Sequence, residues 1–143
     1  MATASTGGSQ TGFPGRLRDV PPPSPKSRDV HLSVPARPGY LVLARLALSA
    51  MCRLTPLQHA EVADLKLAVT EAASAFVAED RPTDVVVGFE FRLLDDRIEM
   101  ELDGAPMDSS AEERELSRAI VEATVDEFQF RDGHAMLVKR FAA

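Results

Sequence analysis

The chain of 143 residues has no tryptophan, one tyrosine and one cysteine. With a single thiol at Cys52 it can form no internal disulfide, which points to a reducing compartment and a fold held by its own core. It has no apolar run near the ~20 residues that span a bilayer, and no apolar stretch near Met1 of the kind found in a signal peptide. Basic residues are the minority, 16 against 22 acidic ones, for a net charge of −6. This balance excludes the broad cationic face that direct nucleic-acid binding requires. His31, His59 and His134 lack metal-ligand spacing, so no metal site is expected. These absences describe a cytoplasmic protein of one domain, without membrane or nucleic-acid contact.

Two regions differ in composition. Residues 1–28 are rich in Gly, Ser, Thr and Pro and include Pro21-Pro22-Pro23-Ser24-Pro25. They carry too little apolar surface to offset their ordering entropy and read as a disordered tail. Residues 29–143 carry the globular pattern. Val30 to Val34 alternates weakly, as a strand does. Tyr40 to Cys52 has Leu41, Ala44, Leu48 and Met51 at helical spacing. Thr55-Pro56 predicts the start of a second helix, with Thr55 as cap and Pro56 in the first turn. The stripe Leu65, Ala68, Val69, Ala72, Ala73, Phe76 carries that helix to about Val77.

Val85 to Arg92 is β-rich, and Arg97 to Asp103 alternates strictly, the mark of a half-buried strand. Ala111 to about Asp126 reads as a helix with Leu116, Ala119, Ile120 and Ala123 on one face. Asp132-Gly133 between two strand-like runs is a two-residue hairpin signal. The order β-α-α-β-β-α-β-β implies an α+β, two-layer α/β sandwich: a mixed, mainly antiparallel sheet with helices on one face.

Several segments together resemble the RsbW-type anti-sigma factor and serine protein kinase family of the GHKL (histidine-kinase-like) ATPases. Val34-Pro35-Ala36-Arg37-Pro38-Gly39-Tyr40 is similar to the family's opening segment, and Asp64 to Val77 to its N-box helix. Asp95 to Met100 resembles the hairpin before the adenine-site strand, and Val125 to Glu127 and Lys139 to Phe141 the closing elements. The resemblance covers roughly residues 30 to 141. It implies a GHKL-like (Bergerat-like) fold and assigns Glu71 as general base of phosphotransfer, with Asp103 and Gly104 in the nucleotide-binding D-x-G box. It further implies a homodimer that binds a sigma factor, with an anti-anti-sigma protein of the STAS type as competitor. Arg37, Tyr40 and Arg45 fall on the family's partner-binding surface.

The departures are as informative as the matches. The N-box asparagine that helps hold Mg²⁺ stands one helical turn beyond the glutamate; here that position is Ala75, which offers no oxygen to a hard cation. In the second box the glycine comes one residue early, as Asp103-Gly104-Ala105-Pro106. With the strand register kept, Asp103 faces away from the pocket; a one-residue deletion would restore it, and the sequence leaves both open. The Gly-rich lid is reduced to about Ala105 to Glu113, with no glycine after Gly104 and with Glu112, Glu113 and Glu115 at the start of the helix. Those carboxylates suit a helix dipole and repel a triphosphate.

Arg114 and Arg118, one turn apart, read as partners for nearby glutamates, and Cys52 as an apolar core residue. The expectation is an anti-sigma regulatory protein whose kinase function is weak or lost; the alternative is an active ATP-dependent serine kinase acting on an anti-anti-sigma factor. No cofactor is required by these residues. Mg-ATP is the one the resemblance brings, and three weakened elements count against it.

Overall fold

Alternation along Arg97–Gly104 places Ile98, Met100 and Leu102 on one side of a strand and Glu99, Glu101 and Asp103 on the other. In the computed structural model, which describes residues 28–141, this strand is the middle of a five-stranded sheet. The elements in chain order are β1 (Arg28–Pro35), a short 3₁₀ turn (Pro38–Tyr40), α1 (Leu41–Cys52), α2 (His59–Ala73), β2 (Val86–Leu93), β3 (Arg97–Gly104), α3 (Ala111–Thr124), β4 (Glu127–Arg131) and β5 (His134–Arg140). The spatial order is β1-β2-β3-β5-β4, and every neighbouring pair is antiparallel. The sheet is antiparallel throughout the described residues rather than mixed; the α+β two-layer architecture is as expected. Apart from Arg28, the Pro-rich tail lies outside the described residues.

The three helices cover one sheet face. Val87, Phe89 and Phe91 of β2, Ile98, Met100 and Leu102 of β3, and Ala135 and Leu137 of β5 meet Leu48 of α1, Leu65, Val69 and Ala72 of α2, and Val121 of α3 in a single core. Among the described residues no charged or polar side chain is fully buried. Burying each large apolar side chain contributes about 1.5–3 kcal/mol, so this one layer carries the fold.

The other sheet face is charged and self-paired. Arg92 Nη2 lies 3.2 Å from Glu90 and its Nε 3.4 Å from Asp29; Arg97 lies 2.8 Å from Glu99 and 2.7 Å from Asp96; Arg140 pairs with Glu127. Such exposed pairs contribute little stability each, but they leave these arginines with partners.

The hairpin forms where Asp132-Gly133 predicts it, joining Arg131 to His134. Gly133 has φ +75°, the left-handed region, and a Cβ there would stand 3.1 Å from the Gly104 carbonyl. The hairpin is thereby pressed against the end of β3, and the Gly104 N–H donates to the Gly133 carbonyl at 3.1 Å.

Two helix boundaries differ from expectation. α2 begins at His59, capped by Gln58, whose N–H donates to Glu61 Oε1 at 3.0 Å. Thr55 does not cap it: its hydroxyl donates to the Cys52 carbonyl at 2.7 Å and accepts the Leu57 N–H at 3.2 Å, so it closes α1 instead. α2 stops at Ala73 although its apolar stripe continues to Phe76. The Ser74 hydroxyl and N–H both donate to the Glu71 carbonyl, at 2.6 and 3.2 Å, and the Phe76 N–H donates to the Ala73 carbonyl at 2.9 Å, so the last turn tightens to bonds three residues back.

Candidate functional site

Glu71 sits half-buried on the last turn of α2, facing α3. The Ser117 hydroxyl of α3 donates to Glu71 Oε1 at 3.1 Å and lies 3.4 Å from the Ser74 hydroxyl. One turn beyond Glu71 is Ala75, whose carbonyl accepts the Met107 N–H at 2.9 Å. Arg81 continues the closure: its Nη1 donates to the carbonyls of Phe76 and Ala105, both at 2.7 Å. Beneath it, Phe76 is packed on Gly104, where a Cβ would come within 3.1 Å of the ring. The loop from Ala105 to Ser110 is therefore clipped to the end of α2 by a guanidinium, a backbone hydrogen bond and an aromatic ring.

Ser110 caps α3 reciprocally with Glu113: the Glu113 N–H donates to Ser110 Oγ and the Ser110 N–H to Glu113 Oε1, each at 3.0 Å. The Ser110 N–H first, and then the Ser110 hydroxyl beside the carboxylate, hold the Glu113 carboxyl below its ordinary range.

The structure brings Glu71 and Gly104 to the same end of α2 but sets Asp103 apart. β3 keeps its register, with Asp103 opposite Gly88 and His134. Asp103 therefore projects from the sheet face away from the helices, with Oδ1 3.9 Å from His134 Nε2. Among the described residues no group of three or more His, Cys, Asp or Glu side chains could hold a metal ion. The donor set for Mg-ATP does not fit: the metal position is an alanine, the acid of the adenine box faces outward, and the glycine beside it lies under Phe76.

The α1 region is the opposite case. Leu41, Ala44, Leu48, Met51 and Cys52 are buried, and burial pushes the Cys52 thiol up. The outer side is also apolar: Val42 and Leu43 are exposed, Leu46 is 61% exposed, and Leu54 just past the helix is 60% exposed. Arg45 is the sole charged residue in the helix. A helix that is apolar all round ordinarily belongs inside a protein. Of the residues expected at a partner surface, Tyr40 is exposed, Arg45 Nη1 reaches Thr70 Oγ1 only at 3.5 Å, and Arg37 Nε donates to the Arg81 carbonyl at 2.6 Å. All three lie on or beside α1.

Ser117 and Arg81 hold the α2–α3 seam, and reasoning from the sequence singled out neither. No local motif marks Ser117. The stripe Leu116, Ala119, Ile120, Ala123 suggested a different inward face, yet Leu116 is 63% exposed and the inward edge runs through Ser117, Val121 and Thr124. The hydroxyl of Ser117 is drawn to Glu71 and Val121 to the core, which turns α3 away from its apolar stripe. The apolar outer side of α1 was readable, since no charge but Arg45 interrupts Leu41–Cys52.

No family model matches the chain. The serine-protein kinase RsbW of Bacillus subtilis is 30% identical over 104 residues, which cover 68% of this chain and 64% of that protein. The protein of the same name from Listeria monocytogenes is 30% identical over 94 residues, 61% of this chain and 58% of its own length. This is an RsbW-like chain. A crystal structure of the RsbU and RsbW domains of Rv1364c from Mycobacterium tuberculosis superposes on the RsbW-like chain with a TM-score of 0.58 at 18% identity, over 80% of the chain and 32% of that structure, and supports the fold. The RsbW-like chain spans less than two thirds of the length of these curated relatives. No helix among its described residues is long and apolar enough to cross a membrane.

Proposed function

We propose that this RsbW-like chain is an anti-sigma regulatory protein that acts by binding protein partners, a sigma factor and an anti-anti-sigma protein of the STAS type. Phosphotransfer on this reading is weak or lost. The observation that carries it is α1: four large apolar side chains, Val42, Leu43, Leu46 and Leu54, stand exposed on and just beyond one helix beside Arg37, Tyr40 and Arg45. Exposed apolar surface of this kind marks a protein contact. The seam supports the second half of the reading. Glu71 there is engaged by Ser117, and the groups that would hold a nucleotide lie on two sides of the sheet.

The alternative, an active serine kinase with Glu71 as its base, rests on the retained glutamate and on the names of the relatives. Calorimetric titration with ATP and ADP, with and without Mg²⁺, separates the two. No heat and no thermal stabilisation up to millimolar nucleotide is the expected result. Mg-dependent binding at micromolar concentration, followed by phosphotransfer that Glu71→Gln abolishes, would replace it with the kinase. In parallel, the chain should bind its sigma factor in the absence of nucleotide.

A further inference from the structure

Residues 1–27 carry three basic residues, Arg16, Arg18 and Lys26, against one acid, Asp19, whereas the rest of the chain carries 13 against 21. Within that basic segment the large apolar residues Phe13, Leu17 and Val20 share one stretch of eight with both arginines. The described residues offer a face of matching character. On α3, Glu112, Glu115, Leu116, Ala119, Glu122 and Ala123 recur at helical spacing and are all exposed, Leu116 at 63%. Among the described residues none of these three glutamates is in an ion pair. The helix's own arginines, expected to pair with them, are engaged elsewhere. Arg114 Nη1 donates to the Ser109 carbonyl, and the Arg118 guanidinium lies 5.5 Å from the rings of both Phe128 and Phe130 at the sheet edge.

We propose that segment 13–20 of this chain docks on the outer face of α3, its apolar residues against Leu116 and Ala119 and its arginines toward Glu112, Glu115 and Glu122. The reach is sufficient. Asp29, Arg92, Glu99, Val138 and Glu127 lie on one row of the sheet. The start of β1 therefore stands four strand spacings, about 19 Å, from the start of β4, where α3 ends. Residues 21–27, four of them proline, span about 22 Å at polyproline pitch. They bring Val20 to the end of α3, and the segment then runs back along the helix. So short a tether holds the segment at an effective concentration on the order of millimolar, so that a contact of modest affinity is occupied. Charge selects this face for it. Arg37, Arg45 and Arg53 around α1 repel a basic segment, and on the open sheet face Glu90, Glu99 and Glu127 are already held by arginines. A second copy of the chain, related by a two-fold axis through α3, would set glutamates against glutamates. The contact uses a different face from the proposed partner site and does not rest on that reading.

The test uses the full chain with a nitroxide attached at Gly12→Cys and reads the amide resonances of the folded part; Cys52 is buried and stays unmodified. Selective broadening of the Leu116, Ala119 and Ala123 amides is expected, weakening as salt rises. The double variant Arg16→Glu, Arg18→Glu should lower the ratio of docked to free segment about fivefold, as loss of two exposed ion pairs does. Glu115→Lys, Glu122→Lys should do the same. Combining both double variants should restore docking, a rescue that a purely local effect at either end would not give. Thermal unfolding checks that the variants fold; Glu115 and Glu122 are exposed.

Broadening that is absent, spread evenly over the surface or centred on α1 overturns the proposal. So does broadening indifferent to both charge reversals, or a combined variant that is not rescued. A mixture of spin-labelled chain with isotope-labelled chain free of nitroxide separates contact within one molecule from contact between two. Equal broadening in that mixture means docking on a second copy and overturns docking within the chain.

Discussion

α1 and α2 lie side by side on the same sheet, yet their free surfaces are finished in opposite ways. The α2–α3 seam is polar and satisfied: Glu71 has Ser117, the carbonyls of Ala75, Phe76 and Ala105 have donors, and Phe76 fills the space over Gly104. The α1 face is apolar and unsatisfied, with leucines in water and arginines without acids. A cleft kept ready for a polar ligand holds unmet polar groups; a surface kept ready for a protein holds unmet apolar ones. The groups of the seam are engaged with one another, while the exposed side chains of α1 and of Leu54 just past it are apolar.

The comparison can be broken at either end. The largest effect is expected at Phe76→Ala, which opens a hole between α2 and Gly104. Loss of a buried Phe costs about 3–5 kcal/mol, read from urea unfolding. A cost under about 1 kcal/mol would mean that the seam is loosely packed and open to a ligand. Arg81→Ala removes a charged donor from two carbonyls and should cost about 1.5 kcal/mol. A change indistinguishable from that of an exposed substitution would show that the loop after β3 needs no clasp.

Leu46→Asp tests the other side. It should leave stability within about 0.5 kcal/mol, because the side chain touches little of the core. Partner affinity should fall about tenfold or more, and the two readouts together distinguish a contact face from a structural one. Ser117→Ala should cost about 1 kcal/mol or less and leave partner binding unchanged; a gain of nucleotide affinity would instead mean that Ser117 blocks a working site.

The smallest effect is at Glu113. Its folded carboxyl is held below the ordinary range by the hydrogen bonds from Ser110, so its contribution is fully present above the ordinary carboxylate pKa. That contribution is lost as pH falls from there through the depressed folded value. Glu113→Gln should flatten this part of the acid unfolding curve while the region above neutral pH stays unchanged; a steeper acid limb would contradict the cap.

The elements whose residues answer only to their own strand or turn were legible. The alternation of Ile98, Met100 and Leu102 with Glu99, Glu101 and Asp103 has period two, and a strand with one buried face has no other use for it. Asp132-Gly133 supplies the positive φ that a two-residue hairpin demands. Where two elements compete for a group, local pattern misleads. Thr55 looks like a cap, but the Cys52 carbonyl claims its hydroxyl first. The stripe of α2 runs to Phe76, but the Ser74 hydroxyl takes the Glu71 carbonyl and the Phe76 N–H turns to the Ala73 carbonyl three residues back, which ends the helix. The stripe of α3 suggested that Leu116 faces inward, and the Ser117 to Glu71 bond turns it out.

The amino-acid pattern by itself determined the two-layer α+β architecture, the order of its elements, the placing of Glu71 and Ala75 one turn apart on a single helix, and the resemblance to the RsbW family. The placing of Glu71 and Ala75 depends on spacing within one segment, and the architecture and the resemblance depend on the order of several such segments along the chain. The tertiary structure alone decided which way Asp103 faces, since strand register is set by the neighbours of β3. It decided that Ser117 meets Glu71, across 46 positions of sequence. It also decided that the outer side of α1 is left bare among the described residues, because exposure depends on where every other element packs, and no described element packs there.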